Sequence, residues 1–343
     1  MRALVTAEIN ESIINELKDY MELTYEGWVK ELRKLTEDEM IHYLRDKEIL
    51  ITSYDPITRK VIEACPKLKL IACTRANPVN IDIECARERN IPVLYTPGRN
   101  SDCTAEFTIA LMLSIGRKIP MAYKSLKDGK HLSEENTESQ IKDGLKEDIT
   151  WALGPGTPYI EFKGMQLKGH TLGLLGYGSI GKRVANIARA FGMNIFIYDP
   201  FVSEIELNDN VQTKVSFEKL LRESDFISCH CKVDESTRRL IGKEAFDMMK
   251  STAYFINTSR GAIVDEEALI EALREKKIAG AALDVFHAEP IYKKHPFVTE
   301  LDNIVITPHL AGATYDAIDN HSVMIVEDIK KFLKGERMLY QYK

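Results

Sequence analysis

The sequence predicts an α/β protein of two domains, each built on a doubly wound parallel sheet. Two observations lead to this fold class. The chain has 343 residues, more than the ~250 at which a single hydrophobic core usually stops growing. Short β-branched runs also alternate with amphipathic stretches along most of the chain, which is typical of parallel strands joined by crossover helices.

The composition narrows the class of protein. Hydrophobic residues make up 44% of the chain and charged residues 29%, which are ordinary values for a globular protein. A net charge of −6 favours a small-molecule partner over nucleic acid or an anionic membrane surface. No apolar run approaches the ~18 residues of a membrane span, and no secretory signal pattern opens the chain. The six cysteines have no paired spacing, so we expect reduced thiols and a cytoplasmic location.

The first half of the chain predicts the first sheet. Its predicted strands are RALVTA, EILITSY, KLKLIACT and IPVLYT, with helices near residues 10–20 and 57–64. Asn100 and Ser101 offer an N-cap for one long helix over TAEFTIALMLSIGRKIPMAYKSL. Residues 127–166 are polar and interrupted by Gly and Pro. We interpret them as a surface insertion that is either a lid or subunit contact, or has no special role.

The second half predicts another sheet and a final helix. Its predicted strands are TLGLL, NIFIYD, FISCHC, AYFINT, GAALDV and NIVITP. The stretch TYDAIDNHSVMIVEDIKKFLKG predicts a long helix that Gly335 ends. Lysines stand in its last turns, where the helix dipole favours positive charge.

A glycine motif in this half predicts a dinucleotide site. Gly176, Gly178 and Gly181 form a G-x-G-x-x-G pattern between the strand TLGLL and the helical stretch KRVANIARAF. Such glycines allow a tight turn, close approach of a pyrophosphate and close helix packing. Asp199 ends the next strand 18 residues after Gly181, where a carboxylate can bind ribose hydroxyls. It would repel the 2′-phosphate of NADP, so NAD is predicted; the alternative is that the glycines only make a sharp turn.

Three charged side chains follow predicted strands of the second half. Arg260 follows AYFIN, Glu289 follows GAALDV and His309 follows NIVITP. Open α/β sheets bind ligands at the carboxyl ends of their strands. The planar guanidinium of Arg260 suits a carboxylate with an adjacent carbonyl. Glu289 and His309 suit a general acid/base pair, because a carbonyl that accepts a hydride also needs a proton. Each side chain has a structural alternative: His309 as a hydrogen-bonded histidine at a strand end, Glu289 as a cap of the Pro290 turn, and Arg260 as a surface ion-pair partner.

No metal site is predicted. The other histidines show no metal-binding spacing. In the run Cys229-His230-Cys231, strand alternation would place the two thiols on one face and the imidazole on the other.

At these residues the chain resembles the D-isomer-specific 2-hydroxyacid dehydrogenases, most nearly their phosphoglycerate dehydrogenase-like branch. The resemblance is carried by the ordered segments VNID, TPGRNSDCTAEFTIALML, GLLGYGSIGKRVA, YDP, NTSRGAIVDEEAL, DVFHAEP and TPHLAGAT. It implies an NAD-dependent oxidoreductase that transfers a hydride between nicotinamide and C2 of a small 2-hydroxy or 2-keto acid. In this resemblance His309 is the acid/base, Glu289 holds it, and Arg260 binds the substrate carboxylate.

The resemblance also implies a domain plan and a set of contacts. A Rossmann NAD-binding domain of residues 101–314 would be inserted into a flavodoxin-like substrate domain of residues 1–100 and 315–343. Hinge closure and a homodimer through the NAD-binding domain are expected with it. The implied NAD contacts, besides the glycines, are Ser179, Ile180, Asp199, Cys231, Thr258, Asp284 and Gly312.

Departures from the family pattern concern the substrate. Thr52-Ser53 stands where the phosphoglycerate enzymes have an Arg-Ser pair, and Arg75 and Asn77 lie in a loop that is usually Gly-rich. The family usually has a proline two residues after the histidine at position 230, but this chain has Lys232 there. We therefore expect another small hydroxy acid, such as a sugar acid, with Ser53, Arg75 and Asn77 as candidate contacts. The alternative function is a non-catalytic NAD(H)-sensing protein that binds a partner like a corepressor, but the complete Arg, Glu and His set favours an enzyme.

Overall fold

The computed structural model describes residues 1–132, 156–203, 207 and 212–343. Its twelve described strands are β1 (Arg2–Val5), β2 (Glu22–Tyr25), β3 (Ile49–Thr52), β4 (Leu70–Cys73), β5 (Val93–Leu94), β6 (Thr171–Leu175), β7 (Asn194–Tyr198), β8 (Gln212–Lys214), β9 (Phe226–Cys229), β10 (Tyr254–Asn257), β11 (Gly280–Leu283) and β12 (Ile304–Ile306).

The helices surround these strands in chain order. They are α1 (Glu11–Ile14), α2 (Trp28–Glu31), α3 (Glu37–Leu44), α4 (Arg59–Ala64), α5 (Ile83–Glu88), α6 (Ser101–Gly116), α7 (Ile119–Lys127), α8 (Pro158–Glu161), α9 (Ser179–Ala190), α10 (Phe217–Glu223), α11 (Lys243–Met248), α12 (Glu266–Arg274), α13 (Pro296–Thr299) and α14 (Tyr315–Lys334). Of the described helices, none combines the length and apolarity needed to cross a membrane.

The chain divides into two compact units. The terminal unit consists of Met1–Cys103 and Gly312–Lys343, and the central unit of Thr104–Ala311. Most of the predicted insertion at 127–166, from residue 133 to residue 155, lies outside the described residues.

The terminal unit contains a five-stranded parallel sheet in the order β2-β1-β3-β4-β5. This is the flavodoxin-like, doubly wound order. Strands β3 and β4 are buried along their whole length, because helices cover both faces of the sheet. Helix α14 packs Ile325, Val326 and Ile329 into the same core as β1, and Gly335 ends it in the left-handed conformation.

The central unit contains a seven-stranded parallel sheet in the order β12-β11-β10-β9-β6-β7-β8. Its first strand, β6, has β7 on one side and β9 on the other, so the winding direction reverses there. This is the Rossmann order with one strand added after the sixth. Doubly wound sheets bind their ligands at such a reversal, beyond the carboxyl ends of the strands.

The structure corrects three details of the prediction. The single long helix is two helices, because Lys118 adopts a left-handed φ of 52° and Pro120 stands in the first turn of α7. The helix expected near residues 10–20 is the short α1 followed by a 3-10 turn. Strands β2 and β8 were not predicted: they lie at sheet edges, and their mixed sequences ELTY and QTK are only partly buried.

His321 on α14 is a buried histidine with two fixed hydrogen bonds. Its side chain is 4% exposed, Nε2 lies 2.8 Å from the Glu8 carbonyl oxygen, and Nδ1 lies 3.2 Å from a guanidinium nitrogen of Arg99. A carbonyl only accepts and a guanidinium only donates, so the ring is neutral with its hydrogen on Nε2. Burial lowers the pKa of His321 to about 4.

We expect this histidine to make stability depend on pH. Between its ordinary pKa of 6.5 and about 4, the unfolded chain protonates His321 and the folded chain does not. The free energy of unfolding should therefore fall as the pH drops through this range, by an amount on the order of 3 kcal/mol. Calorimetric unfolding temperatures of the wild type should fall more steeply than those of His321→Gln, which has no titratable group. Parallel pH profiles for the two proteins would refute the prediction.

Candidate active site

The glycine turn after β6 is fixed by close backbone contacts. Gly176 has a φ of +95°, and a Cβ there would lie 2.7 Å from the backbone nitrogen of Cys231. A Cβ on Gly181 would lie 2.4 Å from the carbonyl oxygen of Gly176. Only glycine fits at both positions, and the result is a sharp turn with α9 packed closely against it.

The N-terminus of α9 follows the glycine turn directly. Gly178 is its N-cap residue, and a Cβ there would meet no atom within 4 Å. Among the described residues, the Gly178 cap forms no side-chain hydrogen bond, and the first turn carries no acidic residue. The predicted pyrophosphate contacts Ser179 and Ile180 are the first two residues of the helix. Backbone N–H groups and the positive end of the helix dipole suit a phosphate at this position.

Asp199 lies beside this turn. One carboxylate oxygen accepts a hydrogen bond from the backbone nitrogen of Tyr177 at 2.8 Å, and the other accepts from that of Phe201 at 2.9 Å. Each oxygen keeps a further lone pair for a ribose hydroxyl. The turn, the glycine-capped N-terminus of α9 and this carboxylate therefore fit a dinucleotide with an unphosphorylated ribose.

The three candidate reacting side chains follow adjacent strands. Strands β10, β11 and β12 pair in parallel, so their carboxyl ends share one edge of the sheet. Arg260, Glu289 and His309 follow these strands in that order. Nδ1 of His309 lies 2.7 Å from Oε2 of Glu289, and Oε1 of Glu289 accepts from the backbone nitrogen of Phe286 at 3.1 Å. Because the carboxylate accepts, Nδ1 carries the hydrogen and Nε2 is left to exchange a proton.

The His309 loop is held by Asp284, whose side chain is fully buried. Its carboxylate accepts from Thr307 Oγ1 at 2.6 Å and from the backbone nitrogens of Leu310 and Ala311 at 2.8 Å each. The Asp284 carbonyl oxygen also accepts from the His309 nitrogen at 2.9 Å. Sequence reasoning proposed Asp284 only as a cofactor contact and missed this positioning role.

The Arg260 turn depends on two residues that sequence reasoning missed. The Asn257 amide accepts from the Ser259 nitrogen and donates to the Arg260 carbonyl, both at 2.9 Å. A Cβ on Gly261 would lie 1.9 Å from the Phe286 carbonyl oxygen, so only glycine lets these loops meet. The sequence feature that could have revealed this close contact is Gly261, which directly follows Arg260. The Arg260 side chain itself is exposed.

Thr258 and Cys231 lie at the carboxyl ends of β10 and β9. Thr108 donates its hydroxyl hydrogen to the Thr104 carbonyl at 2.8 Å, so Thr258 must donate to Thr108 Oγ1, 2.8 Å away. The Thr258 oxygen can then only accept from a ligand. Burial raises the pKa of the Cys231 thiol to about 11, so it is protonated at neutral pH. Strand β9 ends at Cys229, and nowhere in the described chain do three His, Cys, Asp or Glu side chains form a metal-binding group.

The candidate substrate contacts belong to the terminal unit. Ser53 follows β3, and Arg75 and Asn77 follow β4, so parallel pairing brings all three to one sheet edge. Ser53 is buried, Arg75 is partly buried and Asn77 is exposed. Gly312 also lies in the terminal unit, where a Cβ would come within 2.6 Å of the Asn100 amide nitrogen.

The fold and the central site together define a nucleotide-dependent oxidoreductase, and comparison with known proteins identifies its family. The family model for the D-isomer specific 2-hydroxyacid dehydrogenase NAD binding domain matches residues 109–311. A glyoxylate reductase of Thermococcus litoralis is 36% identical over 98% of this chain and 94% of its own length. A D-3-phosphoglycerate dehydrogenase of Methanocaldococcus jannaschii is 37% identical over 98% of this chain, which spans 58% of that longer protein.

A solved structure supports the same family assignment. The TT0316 protein of Thermus thermophilus superposes with a TM-score of 0.80 and 31% identity, covering 100% of both chains. This chain belongs to the D-isomer-specific 2-hydroxyacid dehydrogenase family. Its cofactor is NAD, and its family consists of oxidoreductases that act on the CH–OH group of 2-hydroxy acids. The predicted family, fold class and cofactor are confirmed.

A glycine pair tests the cofactor site. Gly178→Ala adds a methyl group where the pyrophosphate would approach the backbone, whereas Gly242→Ala adds one at the N-cap of α11, whose nearest neighbour is 3.8 Å away. Both glycines have negative φ, so we expect both variants to keep the wild-type unfolding temperature. Only Gly178→Ala should weaken NADH binding, by about tenfold or more in calorimetric titration. Equal NADH affinity in the two variants would contradict this site.

Proposed function

We propose that this enzyme interconverts a small D-2-hydroxy acid and its 2-keto acid, with Arg260, Glu289 and His309 as its reacting side chains. The observation that carries the proposal is the 2.7 Å contact between the His309 imidazole and the Glu289 carboxylate at the strand ends that also carry Arg260. Bound nicotinamide supplies or accepts the hydride at C2.

The protein supplies the proton and the orientation. In reduction, Nε2 of His309 donates a proton to the carbonyl oxygen, and in oxidation it removes the hydroxyl proton. Glu289 fixes the ring orientation by accepting from Nδ1. The Arg260 guanidinium binds the substrate carboxylate and stabilises negative charge on the carbonyl oxygen. The loop bonds to Asp284 hold His309 in place for this transfer.

The proposed contacts form two sets, one for NAD and one for the substrate. The NAD contacts are Gly176, Gly178, Ser179, Ile180, Gly181, Asp199, Cys231, Thr258, Asp284 and Gly312. The substrate contacts are Ser53, Arg75 and Asn77. Relatives named for glyoxylate and for 3-phosphoglycerate support a small 2-keto or 2-hydroxy acid, such as a sugar acid. No observation favours the non-catalytic, partner-binding alternative.

Substitution of the acid/base tests the reaction. We expect His309→Asn to lower kcat by roughly 10² to 10⁴, because it removes the group that exchanges the proton. Glu289→Gln should also lower kcat, since the amide can turn its NH₂ group toward Nδ1. The assay is NADH oxidation with glyoxylate, hydroxypyruvate, 2-ketobutyrate and sugar-derived 2-keto acids.

The matched control is His287→Asn, an exposed histidine on the same loop as Glu289. It should keep the wild-type rate, and all three variants should still bind NADH. If no 2-keto acid supports NADH oxidation by the wild type, or if His309→Asn turns over normally, the proposed reaction is wrong.

We also propose a homodimer through the central unit. Helix α7 exposes Ile119, Tyr123 and Leu126, which lie on one face at helical spacing and are 45–64% exposed. Tyr159 and Ile160 on α8 add exposed apolar surface, and Lys118 next to α7 donates to the Glu161 carbonyl at 3.0 Å. Exposed apolar patches of this kind mark protein interfaces.

Light scattering after gel filtration tests this interface. Tyr123→Glu should shift the wild-type dimer toward a monomer, because it buries an unpaired charge in the contact. Tyr20→Glu, on an exposed tyrosine of the terminal unit, is the control and should remain dimeric. A monomeric wild type would refute the dimer.

We also propose a cytoplasmic location. The six unpaired cysteines support it, because disulfides are rare in reducing compartments. Cell fractionation tests this location.

A further inference from the structure

Two cationic side chains of the terminal unit lie over one tyrosine ring, and a third cation, Arg99, lies near one of them. Lys34 Nζ lies 6.0 Å and the Arg75 guanidinium carbon 5.2 Å from the centroid of the Tyr54 ring. Arg99 is close enough to Arg75 for the positive charge of Arg75 to act on its guanidinium. We call Lys34, Tyr54, Arg75 and Arg99 the cationic cluster.

The cationic cluster has no internal counter-charge. Within the described part of the chain, no Asp or Glu side chain forms a hydrogen bond or ion pair with Lys34, Arg75 or Arg99. Arg2, Arg33 and Arg59 of the same unit each pair with a carboxylate, whereas Arg89 bonds only backbone carbonyl oxygens among the described residues. What distinguishes the cationic cluster is that two of its cations lie over the same tyrosine ring.

Arg99, which like Arg75 is partly buried, has a neutral hydrogen-bond partner. Burial lowers the pKa of its guanidinium, and the positive charge of Arg75 acts in the same direction. Among the side chains that the structure describes, its hydrogen-bond partner is His321, which accepts at Nδ1 and donates from Nε2 to the Glu8 carbonyl. His321 thus orients the guanidinium without neutralising it. A desolvated cation without a counter-ion is costly, and an incoming anion would offset that cost.

The position of the cationic cluster is where a ligand would bind. Tyr54, Arg75 and Arg99 follow β3, β4 and β5, three neighbouring parallel strands whose carboxyl ends share one edge. Doubly wound sheets bind ligands beyond that edge. The guanidinium plane can hold two oxygens of a phosphate or carboxylate at once.

We propose that Arg99, with Arg75, is a specificity-determining residue that binds a second anionic group of the substrate, so that the preferred 2-keto acid is a dianion with a distal phosphate or carboxylate. This inference rests on the proposed reaction. The proposed reaction assigns the carboxylate next to the reacting carbonyl to Arg260, so the anionic group assigned to the cationic cluster is a second one. His321 acts as a positioning residue for Arg99.

Matched substrate pairs test the proposal. Hydroxypyruvate is compared with 3-phosphohydroxypyruvate, and 2-ketovalerate with 2-ketoglutarate, whose distal carboxylate replaces a methyl group. We expect the wild type to prefer the dianion of at least one pair in kcat/KM by about ten- to a hundredfold, the usual worth of charged hydrogen bonds. The pair with the larger preference tells whether the distal group is a phosphate or a carboxylate.

Variants assign this preference to the cationic cluster. Arg99→Met should remove most of the preference and Arg75→Met part of it, whereas Arg99→Lys should keep a fraction. Arg87→Met, on the exposed face of α5, is the control and should keep the wild-type ratio. His321→Leu should lower the ratio, and His321→Asn should restore it in part because its amide oxygen can accept from Arg99.

Anion binding gives a readout that does not need turnover. Inorganic phosphate or succinate should raise the unfolding temperature of the wild type and of Arg87→Met. The rise should be smaller for Arg99→Met. If Arg99→Met does not fold, Arg99→Lys takes its place. If no 2-keto acid is reduced but phosphate still binds through Arg99, the proposed reaction fails and the anion site stands. Equal anion stabilisation in the wild type and the Arg99 variants, or a substrate ratio unchanged by them, overturns the inference.

Discussion

The parallel alignment of the strands in each sheet is the constraint on which the candidate site depends. In the central unit, β6, β9, β10, β11 and β12 all run in one direction, so every segment that follows them emerges at the same edge. The glycine turn, Cys231, Arg260, Glu289 and His309 are brought together for this reason alone, although they span more than 130 residues of sequence. An antiparallel strand among them would send one segment to the other edge.

Parallel strands place the loops, but hydrogen bonds to buried polar side chains fix their conformations. Asp284 is the main example: its two carboxylate oxygens accept three hydrogen bonds from the segment that carries His309. Asn257 does the same for the turn that carries Arg260. Such interior polar groups are stabilising only when all their hydrogen bonds are made, so they specify one loop conformation. The exposed imidazole and guanidinium can then be accessible to a ligand and still be well oriented.

The sequence revealed those parts of the fold and site that local patterns encode. The buried strands could be recognised because they are short apolar runs, and the glycine motif because its neighbours are a strand and a helix. The edge strands β2 and β8 were missed because partly buried strands lack that signal. The break at Lys118 was missed because a left-handed residue is not encoded by hydrophobic periodicity. The positioning role of Asp284 could not be read from sequence, since its partners lie 23 to 27 residues away.

Long-range contacts also explain why the cationic cluster escaped sequence reasoning. Net charge describes the whole chain, and a value of −6 gives no sign that three unpaired cations gather in one place. The hydrogen bond between Arg99 and His321 joins residues 222 positions apart, so only the folded chain shows that the partner of this guanidinium is neutral.

The arginines proposed to bind the substrate belong to two different sheets. Arg260 follows a strand of the sheet that carries the acid/base, whereas Arg75 and Arg99 follow strands of the terminal unit's sheet. Under the proposed reaction, the arginines that set the substrate preference and the residues that move the proton therefore belong to different units of the chain.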